Sequence, residues 1–313
     1  MNSGLPAAFA TLFTWTIASF LVAKLSRLED SYILNKAILF FSIFLLGILV
    51  CVLDGLAPWK LFTVPSLSNW LWLGISGILG KSVGDYWSYC SYRILGIRRR
   101  SMISTLAPGF TWLFGLIILN EKINWIGLTA MLLTIVCVIL LINNNAEKKE
   151  IQKENFGLPL PGLLFGIGSA ALTGLAFILS KKTFIERGTT ISAFHATWIR
   201  ILIAFLALLI FDIIRNKHSV FIKQFLFDKR KAGLLFFIIL FGAVLGLSFS
   251  LIAISKMNAA AAYTIFALLP VSVILVSVIA FKKKITLQSW LYSILAIAGV
   301  IILLWRDELI KYF

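Results

Sequence analysis

Ten stretches of this 313-residue chain are apolar over the length of a membrane-crossing helix, and a run of that length has few ways to fold. A bilayer core about 30 Å thick is crossed by roughly 20 helical residues. The helix is also the single segment that closes all its own backbone hydrogen bonds away from water. The stretches run approximately 4–23, 36–53, 70–92, 101–119, 124–142, 160–180, 191–213, 233–254, 259–281 and 286–305. The fold class expected is therefore all-α integral membrane, with ten transmembrane helices. At 60% hydrophobic and 13% charged residues, the chain carries more apolar surface than one or two water-soluble domains hide.

The 29 Lys and Arg against 13 Asp and Glu would suit a nucleic-acid binder, but the cations sit in short clusters between the apolar runs. There they read as topology signals facing anionic headgroups, so a lipid bilayer is the expected partner and nucleic acid is not. Cys51, Cys90 and Cys137 fall inside or at the edge of apolar runs with no CxxC and no Cys/His spacing, which implies neither a metal site nor a disulfide framework. The first run, Leu5 to Ala23, lacks a basic leader and a small-x-small cleavage site and reads as a retained span. No Walker loop, HExxH, GxSxG or Asp-rich metal pair occurs, so nucleotide-driven pumping is not encoded, no cofactor is expected and the chain is not read as an enzyme.

The chain also repeats itself. Sliding residues 72–142 forward by 162 positions puts Gly80 and Gly84 on Gly242 and Gly246, Ser88 on Ser250, Pro108 on Pro270, and Lys122 and Ile123 on Lys284 and Ile285. Leucine and isoleucine matches are cheap in such a composition, so the Gly pairs and the Pro pair carry the weight. The polar stretch 143–159 divides a first five-helix repeat, 1–142, from a second, 160–305, with 306–313 as a tail. An odd number of spans per copy makes the second enter from the opposite side, and inverted repeats of this kind underlie alternating access around a midplane site. Tandem duplication makes a monomer self-sufficient, and a homodimer remains open.

Three features carry a family resemblance: Trp15 in ATLFTWTIASFLVAK, the run Ile103 to Pro108 with its copy Phe266 to Pro270, and NEKINWIG at Asn120 to Gly127. With these the chain resembles the drug/metabolite transporter superfamily in its ten-helix EamA-type form. The resemblance implies a central cavity between the halves and movement of small metabolites, amino acids and sugar-linked compounds among them. It also implies cytoplasmic termini, whereas Lys and Arg concentrated in the odd-numbered loops place both termini outside. Lys282–Lys284 stands where the acidic Glu121 would be copied, a departure from the family pattern. The expected location is a bacterial inner (plasma) membrane.

Lys81 and Asp85 lie four residues apart near the middle of the third span, and intramembrane charge is costly unless paired or facing a polar cavity. They lead the substrate-binding candidates, with Tyr89 and Tyr92 continuing the same face; a self-neutralised pair on a packing face is the plainer alternative. His195 and Arg200 form a second polar pair. Proton coupling through the imidazole competes with a histidine at the interface, and substrate contact by Arg200 competes with snorkelling. Trp15 is expected in the cavity wall, with Tyr86, Trp87, Trp112 and Tyr263 as further candidates against a lipid-facing reading. Gly80, Gly84, Gly242 and Gly246 form small-xxx-small faces for sliding or plain packing, and Pro108 and Pro270 suit hinges. The function expected is secondary transport of a small metabolite, amino-acid-like or another polar organic solute. A flippase for a lipid-linked precursor and a membrane-embedded phosphatase using His195, Arg200 and Asp85 are the alternatives.

Overall fold

The computed structural model describes residues 2–121, 123–143, 160–186, 191–215, 225, 228–281 and 287–309. Among these the chain is helical, without strands. The helices of the first half are α1 Leu5–Leu28, α2 Ser31–Leu53, the short α3 Lys60–Thr63, α4 Leu67–Gly77, α5 Asp85–Ser104, α6 Ala107–Leu119 and α7 Trp125–Asn143. Those of the second are α8 Leu160–Ile185, α9 Ala193–Ile214, α10 Lys229–Ile238, α11 Leu247–Lys256, α12 Ala259–Phe266, α13 Leu269–Phe281 and α14 Leu287–Leu309. The polar linker beyond Asn143, Lys282–Lys284, Lys122, most of the basic loop between Arg215 and Lys231, and the tail from 310 lie outside the described residues.

Side chains of short polar residues start several of these helices. Asp30 accepts from the Tyr32 and Ile33 amides, Ser66 from Asn69, Ser192 from His195 and Asn258 from Ala261, each satisfying a donor that the helix itself leaves open. The Asp30 cap is why α2 begins at Ser31 and takes Lys36 into its interior. Lys36 is 3% exposed and ion-paired to Asp212, whose carboxylate also accepts from the Tyr32 hydroxyl at 2.5 Å. The apolar run beginning at 36 puts Lys36 at a span edge, whereas the helix starts five residues earlier and a partner 176 residues away neutralises the lysine inside it.

Among the described residues, six helices are long and apolar enough to cross a membrane: Leu5–Leu28, Ser31–Leu53, Leu160–Ile185, Ala193–Ile214, Lys229–Lys256 and Ala259–Val276. Ala107–Leu119, Trp125–Cys137 and Trp290–Ile302 are shorter apolar helices. The segment carrying Lys81 and Asp85 is helical but is not among the six. Exposed large apolar side chains such as Phe13, Ile48, Leu67 and Ile213 cover the flanks, as expected of a surface whose solvent is lipid.

The duplication reappears in the backbone. A π-helical turn, Ile78–Gly84, joins α4 to α5, and a second, Ile239–Gly246, joins α10 to α11. Gly84 and Gly246, the last residues of the two turns, are the 162-residue equivalents found in the sequence. Helices α6 and α13 each begin one residue before the equivalent prolines, so that Pro108 and Pro270 are second in their helices. Proline at the start of a helix gives up an amide that would be unbonded anyway. The prolines therefore open new helices after the turns at Thr105–Leu106 and Ala267–Leu268 instead of bending continuous ones.

Contacts between the halves are reciprocal. A Cβ placed on Gly80 would come within 2.7 Å of Ala176 on α8, the first helix of the second half, and one on Gly242 would reach Ala18 on α1 at 3.4 Å. Each π turn thus packs on the opening helix of the other copy. The last helices, α7 and α14, pack on each other, and there Thr134 Oγ1 donates to the carbonyl of Ala296, its own 162-residue equivalent, at 3.5 Å. Meeting of equivalent positions is the signature of two-fold-related copies.

The two glycines of the second turn differ in room. A Gly246 Cβ would lie 2.5 Å from Trp15 Cδ1 and 2.6 Å from the Phe241 carbonyl, whereas Gly242 meets only ordinary contact. In thermal unfolding of the purified protein, G246A is expected to destabilise by about 1–3 kcal/mol. G242A is expected to leave the midpoint unchanged or raise it, because alanine is the better helix former.

Candidate functional site

A cavity lies between the halves, with about 170 Å³ accessible to the centres of water molecules. Both repeats contribute: Lys81, Asp85, Ser88, Tyr89, Tyr92 and Arg100 from α5 and the turn before it, Trp15 from α1, Ser169, Thr173 and Phe177 from α8, and Tyr263, Phe266 and Leu269 from the second half's broken helix. Of the residues expected in a site, the structure gathers Trp15, Lys81, Asp85, Tyr89 and Tyr92 here, together with Gly242.

Lys81 Nζ donates to Asp85 Oδ2 at 2.7 Å, the side chains being 13% and 22% exposed. Lys81 belongs to the π turn and Asp85 opens α5, so the pair straddles the junction where the helix changes its winding. A π turn shifts carbonyls off the regular ladder. Asn35 on α2 collects two of them, its Nδ2 donating to the carbonyls of Lys81 and Ser82 at 3.0 Å each. Ser82 Oγ in turn donates to the Ala204 carbonyl on α9 at 2.8 Å. The ion pair is thus held at a backbone irregularity that neighbouring helices satisfy, the arrangement that permits irregular backbone at membrane depth.

Arg98–Arg100 count in the sequence among the loop cations that signal topology, and the structure gives Arg100 a different place. Gly96, at φ 76° and ψ 173°, reverses the chain inside α5 in a conformation that a side chain would strain. Residues 97–104 therefore fold back, and Arg100, 6% exposed, reaches the cavity. Its Nη2 donates to Ser88 Oγ and Ser169 Oγ, both at 3.1 Å, one serine from each repeat. Nε and Nη1 have no hydrogen-bond partner among the described residues. The glycine two residues ahead of the three arginines is the available signal, since a turn there places one helical face of the following segment inward.

The apolar end of the cavity is aromatic. Trp15 meets Phe266 edge-on at 5.2 Å and Phe177 at 6.2 Å, and Tyr263 sits 5.3 Å from both Phe177 and Phe266. Tyr89 and Tyr92 are each 8% exposed and stand nearer the charged groups, with the Arg100 guanidinium carbon 5.5 Å from the Tyr92 ring. Among the other aromatic candidates, Tyr86 packs edge-on against Tyr32 and Trp87 against Phe165, and neither they nor Trp112 are among the lining residues.

His195 and Arg200 are not among the lining residues either. His195 is 1% exposed and sits in the first turn of α9, at the end of a membrane-length helix. Its Nε2 donates to the Leu61 carbonyl at 2.9 Å, clasping the short α3 to the start of α9. Arg200 is fully buried, which excludes snorkelling. Its guanidinium carbon lies 5.2 Å from the Phe177 ring centre and Nη2 3.3 Å from where a Gly80 Cβ would stand, so it sits behind the cavity wall under the first π turn. None of its guanidinium nitrogens has a hydrogen-bond partner among the described residues. Gly84 and Gly246 pack against α8 and α1 respectively, and Pro108 and Pro270 start helices whose first residues, Ala107 and Leu269, line the cavity.

One end of the molecule carries a cluster that spacing alone did not reveal. Glu121 follows the left-handed Asn120 that ends α6, and its carboxylate is ion-paired to Lys181 near the end of α8 and accepts from the Ala259 amide at 3.2 Å. Lys181 also donates to the Met257 carbonyl at 2.6 Å. Glu121 was noticed as part of NEKINWIG, but its partner, 60 residues on, carries no local mark.

Comparison with known proteins agrees with this architecture. The family model described as the EamA-like transporter family matches residues 2–143 and again 160–305. A search of curated proteins finds no significant match. A protein solved by crystallography superposes with a TM-score of 0.69 over 96% of each chain at 15% identity, a likeness of fold. Two matches of one transporter model, covering both repeats on an all-helical chain with membrane-length apolar helices, fix the classification: the chain is an integral membrane protein that belongs to the EamA-like transporter family, within the drug/metabolite transporter superfamily.

Proposed function

We propose that the protein is a secondary transporter that carries a small organic solute, amino-acid-like or otherwise polar, by alternating access between two inverted five-helix repeats. The observation that carries this reading is the cavity itself: it lies between the copies, takes residues from both, and has an ion pair at a break in helix winding. EamA-family membership supplies the transporter class, and the reciprocal packing of each π turn on the other copy's first helix supplies the symmetry. Inverted copies can exchange two equivalent packings, one open to each side.

Lys81 and Asp85 serve as the polar contacts for the solute, with Tyr89, Tyr92 and Trp15 as its walls. Because the two charges neutralise each other, the empty cavity tolerates them. An incoming polar group trades places with one partner. Flux of labelled solute into liposomes bearing the purified protein is expected to fall at least tenfold in D85N and in K81A, with the melting temperature and membrane insertion retained. Unchanged flux in both variants overturns the site.

The Glu121–Lys181 pair, with the Met257 carbonyl and Ala259 amide, joins the two halves at one end and acts as a closed gate. Removing one member of a buried pair strands the other, at a cost of about 3–5 kcal/mol. E121Q or K181M alone is expected to lower the unfolding midpoint markedly. The double variant E121Q/K181M recovers most of the stability yet leaks solute down its gradient in a vesicle efflux assay; a tight double variant contradicts the gate.

A further inference from the structure

The cavity has a net positive charge that its own residues do not cancel. Its charged lining groups are Lys81, Asp85 and Arg100, and the first two neutralise each other at 2.7 Å. No carboxylate among the described residues stands at ion-pairing distance from Arg100, which is 6% exposed; Asp85 acts on it only from farther off and is already paired with Lys81. An arginine in such a place stays protonated, because its intrinsic basicity is too high to relinquish the charge cheaply. Two serine hydroxyls restrain one nitrogen, so the orientation of the whole planar group is fixed while Nε and Nη1 keep unused donors. Buried donors in this condition are costly and are retained where something comes to meet them.

A second observation points the same way. Helices α6 and α13, 13 residues each, start in the middle of the structure, and their first residues, Ala107 and Leu269, line this cavity. The amino ends of such half-helices carry partial positive charge and favour an anion. Beside the charged groups, Trp15, Phe177, Tyr263 and Phe266 make an aromatic wall that suits an apolar body and offers a cation no carboxylate beyond the occupied Asp85.

We infer that the solute is an organic anion, an oxyanion on an apolar body, and that Arg100 is the residue that binds its charged end, held in place by Ser88 and Ser169. This rests on the transporter reading above and narrows it. Carboxylate and phosphate share the chemistry of accepting from guanidinium donors, and the guanidinium plane is matched to both.

The test uses four probes with one aromatic body: phenylacetate, phenyl phosphate, phenethylamine and phenylacetamide. Melting temperatures of the purified full-length protein are followed as each is titrated, since a binder of the folded state raises the midpoint in proportion to its occupancy. One or both anions are expected to stabilise the wild type, the better of the two identifying the headgroup, while the amine and amide do not. In Arg100→Gln the affinity for that anion falls at least tenfold. In Arg100→Lys it falls less, because charge survives without the fork. Ser88→Ala with Ser169→Ala keeps the guanidinium and weakens binding several-fold, which separates loss of orientation from failure to fold. Stabilisation by the amine or amide equal to that by the anions, absence of any anion effect on the wild type, or an Arg100→Gln protein that binds the anion normally overturns the inference. The same probes loaded into proteoliposomes separate the two readings. Flux of the amine or amide without the acids removes the anion and keeps the transporter. Arg100-dependent binding with no flux of any probe keeps the anion site and removes the transporter.

Discussion

Burying a charge where water cannot follow is the constraint that organises this molecule. Among the described residues its interior holds three ammonium groups and two guanidinium groups, and they are treated differently. Lys36 is paired with Asp212, Lys81 with Asp85 and Lys181 with Glu121. Arg100 and Arg200 have hydroxyls or an aromatic face and, among the described residues, no carboxylate at ion-pairing distance, Asp85 acting on both only from farther off. A lysine that cannot be paired can give up its proton, whereas an arginine cannot, so the guanidinium charges persist and the structure around them must supply compensation. Two of the three lysine pairs tie together segments more than 50 residues apart in the chain, and both join the two repeats, one at Asp212 and the other at Glu121. Charge pairing and tertiary arrangement are thus the same set of contacts.

Backbone irregularity is placed with similar economy. Both π turns fall where a glycine pair lets the opening helix of the other repeat approach, and the first of them also carries Lys81 at its surface. Asn35 and Ser82 take up the polar atoms around that turn. The aromatic wall is built across the same interface, with Trp15 from one repeat against Phe177 and Phe266 from the other.

Much of this was legible in the sequence because hydrophobic run length, glycine spacing and proline position are local properties. The Gly80–Gly84 and Gly242–Gly246 pairs marked the two close approaches, and the four-residue spacing of Lys81 and Asp85 marked the ion pair. The π winding was not readable, since it depends on what packs beside the glycines. Lys36 and Lys181 escaped because the partner of each lies far away in the chain, and Arg100 because its place in the cavity depends on the turn at Gly96 and on serines from both repeats. His195 and Arg200 failed in the opposite sense. Their spacing suggested a shared polar site, but five residues carry them to different surroundings, one to a clasp on α3 and the other beneath a π turn.

The Glu121 cluster has a further implication for how the two ends of the protein compare. The repeat places Lys283 where a second glutamate would complete a matching cluster at the opposite end. Two copies that agree in their glycines, prolines and winding thus disagree in the sign of charge at this one position. On the cycle proposed here, the inward- and outward-facing forms are then unequal in free energy even with nothing bound, and an idle carrier waits with one particular side shut.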